Sequence, residues 1–197
     1  MESQTVEGDT IEAAVRHVQS EVCTPGRLVV RLRFDGEDVS EEALASTLQK
    51  EVSSCSRLEL FTSTKQALIG EAMNQASASL HETEETCRQV AGLLTEGKTQ
   101  EGMQAFSDCL TVWRQVHRAV LQSIQMLDLD VDAMTVGDEP ISAIIARPKE
   151  VLLQVREALR VDDHVLLADL LQYEFSDVTN QWFILIARIR EEAESAV

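Results

Sequence analysis

The chain is poor in residues that break or staple structure. Of 197 residues only 8 are glycine and 3 proline, which excludes a loop-rich or disordered protein. The four cysteines, Cys23, Cys55, Cys87 and Cys109, form neither a CxxC pair nor a Cys/His cluster. No structural zinc site or dithiol redox motif is therefore expected, and they read as single thiols. Aromatic residues make up 4%, and 17 Lys and Arg face 34 Asp and Glu, for a net charge of -17. Such a field repels nucleic acid and anionic membrane and attracts basic surfaces. The greasiest run, Trp182 to Ile186, is five residues long, far from the roughly 18 of a spanning helix. Met1 to Asp9 has neither the basic nor the apolar region of a signal peptide, so the cytoplasm is the expected compartment.

What is present is periodicity. Residues 1–9 read as a frayed end, after which Asp9 or Thr10 caps a short helix through Ile11, Ala14, Val15 and Val18. A strand follows, with Leu28, Val30, Leu32 and Phe34 on one face and Arg27, Val29, Arg31 and Arg33 on the other. Asp35-Gly36 supplies a turn, and the arginines read as the solvated face of a half-buried sheet. Ser40 caps a helix through Leu44 and Leu48, with Glu41 and Glu42 at its positive end and Ala43 where a full capping box needs Glu. Arg57 to Thr62 alternates as a second strand, whose partner, this chain or a second copy, stays open.

From Thr64 the period becomes 3.6. Ile69, Met73, Ala76, Leu80, Cys87, Val90 and Leu94 mark a long helix that stops near Gly97. With Thr99 as cap, Met103, Phe106, Leu110, Trp113, His117, Val120, Ile124 and Leu127 form a seam of alternating three- and four-residue steps, a packing face of a helical bundle. An acidic connector, Asp128 to Glu139, leads to Pro140 with a short turn at Ile141, Ile144 and Ile145. Pro148 then opens a third long element through Leu152, Val155 and Leu159. Asp162 or Asp163 caps a last helix striped by Leu167, Leu171, Phe175, Val178, Trp182, Leu185 and Ile189. The expected fold is α+β, mainly α. A small strand-helix-strand lobe over residues 1–63 packs on an antiparallel bundle of about four helices over residues 64–197.

Chemistry is harder to find. The chain has no Ser-x-x-Lys, Gly-x-Ser-x-Gly or Gly-rich phosphate loop. A di-metal bundle needs Glu three residues before an inward His, and Ala14, Ala78, Arg114 and Val161 stand there instead. Asp128, Asp130 and Asp132 match three positions of a calcium loop ending at Glu139, but its obligatory glycine is Ala133. His117 alone among the histidines lies in a seam. It reads as a half-buried polar plug; the functional alternative is a general base oriented by Glu174. No catalytic, cofactor-binding or metal residue is expected.

Several segments together resemble a family of uncharacterised bacterial proteins. They are Phe34-Asp35-Gly36-Glu37, Leu58 to Thr62, Leu94-Thr95-Glu96-Gly97, Glu101 to Trp113, and Leu166 to Arg190 with Asp169-Leu170-Leu171-Gln172-Tyr173-Glu174. The resemblance spans residues 10–195 and implies the two-part fold without an activity. The bundle alone is distantly similar to flagellar export chaperones. The function expected is a non-catalytic protein–protein interaction module or chaperone-like adaptor, with a homodimer as its form. Its acidic bundle would hold a basic or amphipathic helix, anchored by Trp113, Phe106 or Trp182 where exposed. The alternative is an enzyme with a metal-free pocket between lobe and bundle, with His117 or Glu174 at its wall. The partner and pathway stay open.

Overall fold

The computed structural model describes residues 10–22 and 26–195, so the frayed end, Asp9 and Cys23 fall outside it. The chain divides into two units at Leu68/Ile69. The first opens with α1, Ile11–His17, whose cap Thr10 accepts from the Ala13 amide at 3.2 Å. A π-helical turn, Val18–Val22, follows. β1, Arg27–Phe34, and β2, Glu37–Asp38, form a hairpin in which Asp35 and Gly36 both take positive φ, 49° and 92°. Ser40 caps α2, Glu41–Leu48, and Val52 belongs to a separate tight turn beyond it. β3, Leu58–Thr64, pairs antiparallel with β1 from Phe34↔Leu58 to Arg27↔Thr64. The strands thus pair within one chain, in the order β2-β1-β3.

A register shift between Val29 and Arg31 interrupts the alternation of β1, and Val30, expected inward, is 42% exposed. Val30 is the extra residue of that bulge, left without a partner on β3, while Leu32 beyond it is buried as expected. The arginines are not left to solvent alone. Arg33 pairs with Asp38 at 3.0 Å, Arg31 lies 4.1 Å above the Phe61 ring, and Arg27 donates to the Thr62 hydroxyl at 3.0 Å.

The second unit holds the main core, which runs from Ile69 to Ala193. α3, Lys65–Thr95, ends in a Schellman cap: Gly97 at φ 76° donates to Leu94 O at 3.0 Å and Lys98 to Leu93 O at 2.8 Å. α4, Thr99–Leu127, starts without the expected threonine cap, since Lys98 holds that position with no side-chain bond. Its buried stripe keeps Phe106, Trp113, Val120 and Ile124 from the expected seam. It adds Cys109, Val116 and Ser123, leaving Leu110, His117 and Leu127 on its edge. The acidic connector contains a small hairpin of β4, Thr135–Val136, and β5, Glu139–Pro140.

α5, Ile141–Arg160, runs unbroken through Pro148, where two elements were expected. Proline offers no N–H to the carbonyl four residues back, here that of Ile144. The fully buried Trp182 supplies the missing donor: its Nε1 lies 3.2 Å from Ile144 O. Asp163 caps α6, His164–Asp169. A π-helical turn, Leu170–Glu174, joins it to α7, Phe175–Ser195. The turn explains the stripe Leu167-Leu171-Phe175. Two successive steps of four would carry an α-helical stripe about 80° off its face, and the wider π turn keeps all three side chains buried. The fold is mainly α within the α+β class.

Candidate functional site

An aromatic cluster occupies the middle of the second unit. Trp113 meets Trp182 edge-on at 5.1 Å and Phe175 at 6.2 Å, and Phe106 meets Phe175 at 6.1 Å. Such tilted contacts place ring edges on ring faces, where their charge distributions attract. Phe106, Trp113 and Trp182 are 2%, 5% and 0% exposed. None of the three is therefore an exposed anchor for a partner; burial at the bundle axis assigns them to the core.

His117 lies at the edge of this cluster, its ring stacked on Trp182 at 5.4 Å and 25°. Burial lowers its pKa below the ordinary histidine value. Glu174 does not orient it. That side chain is exposed, in the π turn between α6 and α7, so the general-base pair is not assembled. Glu139, the twelfth position of the calcium pattern, is engaged by Arg147 at 2.7 Å and by Gln181 at 3.3 Å. The Asp130 carboxylate accepts from the amides of Asp132 and Ala133 at 3.1 and 3.2 Å. Both groups serve local structure. Among the described residues no three of His, Cys, Asp and Glu gather as a metal-binding group.

Two thiols meet in the core. The interaction of Cys87 on α3 with Cys109 on α4, and then burial, raise the Cys87 pKa. The same interaction lowers that of Cys109. Cys109 Sγ in turn lies 4.0 Å from Thr83 O, one turn before Cys87.

The concave feature with mixed chemistry is a half-open groove of about 490 Å³ within the second unit. Leu110 and Trp113 of α4 face Ile145, Pro148 and Leu152 of α5, and Phe175 completes the apolar lining. The polar lining comes from Ser107, Arg114, His117 and Lys149. Sequence reasoning found Leu110, Trp113 and His117 as seam residues but missed Arg114 and Lys149. They lie on different helices, each among other cations such as Arg118 on α4 and Arg147 on α5, and no spacing rule couples positions 114 and 149. The groove exists because α5 continues through Pro148, which carries Lys149 and Leu152 in phase with Ile145.

These features define a mainly α protein of the α+β class, whose helical unit bears an apolar groove with a cationic rim. Residues 71–184, more than half of the chain and all of the groove, match the sequence model of a domain of unknown function (DUF8042). The chain belongs to that family. No curated protein and no solved structure matches it. Among the described residues, no helix is long and apolar enough to cross a membrane.

Proposed function

We propose that the protein is a non-catalytic, cytoplasmic adaptor, chaperone-like in mode, that docks a partner protein around the turn between α5 and α6. One observation carries this reading. Among the described residues, seven of eleven exposed large apolar side chains lie between residues 152 and 173: Leu152, Leu153, Leu159, Val161, Val165, Leu166 and Tyr173. Concentrated exposed apolar surface is what protein interfaces use. A three-residue turn, Val161 to Asp163, joins α5 to α6, which brings Leu159, Val161, Val165 and Leu166 into one neighbourhood. Val165 is 75% exposed and Tyr173 59%.

Charge states which partner suits this surface. Residues 149–174 contain Glu150, Glu157, Asp162, Asp163, Asp169 and Glu174 against Lys149, Arg156 and Arg160. Apolar residues set among acids suit an amphipathic helix with Lys or Arg on its flanks. The Cys87–Cys109 thiol pair fits a reducing compartment.

The test compares the tagged protein with a Val165→Asp/Leu166→Asp variant in capture from cells, alongside sedimentation of both. Both positions are solvent-facing, so helix content should not change. A protein retained by the unaltered chain, released by salt and absent from the variant supports the reading. Concentration-dependent self-association lost in the variant supports it with a second copy as the occupant. Identical captured sets together with monomers at every concentration overturn it.

A further inference from the structure

The groove between α4 and α5 has a composition opposed to that of the whole chain. Acids outnumber bases 34 to 17 overall, yet no Asp or Glu lines the groove and both Arg114 and Lys149 do. Neither cation is in an ion pair: Arg114 donates to the Thr111 hydroxyl at 3.1 Å, and Lys149 has no charged partner among the described residues. The remaining lining is dominated by apolar groups. From Ser107 to His117 it follows α4 for about 15 Å, and its volume falls among those of small-ligand pockets, roughly 300–1,000 Å³. Trp113, one of the lining residues and 95% buried by its 5% exposure, has an Nε1–H with no acceptor. A buried donor left unpaired is costly, and such groups mark places where an acceptor belongs.

We propose that this groove binds a small carboxylate amphiphile, a free medium-chain fatty acid. Its alkyl chain lies along Leu110, Ile145, Leu152 and Phe175, and its carboxylate is held by Arg114 and Lys149. The apolar lining selects a chain over a compact phosphate or sugar, and the two unpaired cations select an acid over an alcohol or amine. The groove shares Leu152 and Lys149 with the edge of the proposed docking surface, but the variants that test the two readings, at positions 165 and 166 and at positions 114 and 149, do not overlap, so either reading can fail without the other.

The global field makes the test discriminating. A net charge of -17 would draw a cationic amphiphile and repel an anionic one. Decanoate, decanol and decyltrimethylammonium, each below its micelle concentration, are titrated by calorimetry and by tryptophan emission. Decanoate should bind one per chain, about tenfold tighter than decanol, equivalent to about 1.4 kcal/mol. The ammonium compound should bind most weakly, and added NaCl should shrink the preference for the acid. An Arg114→Gln/Lys149→Gln variant should keep its circular dichroism and its decanol affinity while losing the preference. Equal binding of all three compounds, absence of binding, or a preference that survives in the variant overturns the proposal.

Discussion

The indole of Trp182 shows how one side chain settles a backbone problem. Pro148 frees the Ile144 carbonyl inside a helix, and Trp182 Nε1 takes it. Trp182→Phe leaves that buried acceptor without its donor, a loss of about 1–3 kcal/mol before any packing effect. In a Pro148→Ala background the alanine N–H serves the same carbonyl, so the cost of Trp182→Phe should fall by about 1 kcal/mol in a urea double-mutant cycle. Equal costs in both backgrounds would assign the whole effect to packing. His117 answers to pH instead. The unfolded chain takes up a proton near pH 6.5, while burial holds the folded imidazole's pKa lower. Stability is therefore fully present above about 6.5 and declines as the pH falls through the folded value. His117→Phe should flatten that decline between about pH 7.5 and 5.5, read as the change in urea midpoint. The thiols divide by burial. Cys55 is half-exposed, whereas Cys87 and Cys109 are buried, so peptide-resolved maleimide labelling of the native protein should modify Cys55 well before either core thiol. Simultaneous labelling of Cys55 and Cys87 would contradict the core assignment.

Among the elements, the π turn Leu170–Glu174 behaves as one residue more than an α-helix needs. Deleting the exposed Gln172 should merge α6 and α7 into one helix with both stripes still facing inward. Deleting Ala187, inside α7, rotates everything after it by about 100° and carries Ile189 and Ala193 out of the core. The first deletion should leave a cooperative thermal transition and the second should abolish it. The difference between these elements also shows what could be read in advance. Thr10, Ser40 and Asp163 announced helix starts because capping depends on residues three apart in the chain. The stripes of α3 and α7 were legible for the same local reason. Continuity of α5 was not, since its compensation comes from Trp182, 38 residues from Ile144. The bulge in β1 and the edge positions of α4 were hidden likewise, because register and facing depend on neighbours supplied by other elements. Of the groove, the apolar lining was visible element by element, as Leu110 and Trp113, Ile145 and Leu152, and Phe175; its cationic rim joins two helices with no shared motif.

For the whole molecule, charge is the dominant property. Twelve ion pairs of Lys or Arg with carboxylates join described residues, mostly exposed ones, and together they do not offset a net charge of -17. Self-repulsion should destabilise the folded chain at low ionic strength. Raising NaCl from about 10 mM to about 300 mM, which shortens the screening length several-fold, should raise the melting temperature by a few degrees, followed by circular dichroism. A melting temperature that falls over that range would show the ion pairs outweighing the repulsion. A proline that survives inside a helix by borrowing a donor from another helix turns two distant positions into a single inherited unit. Across the family, chains with proline at this place should carry an indole or another donor opposite it. Chains with an ordinary residue there are released from that requirement, so the two columns of an alignment should change together.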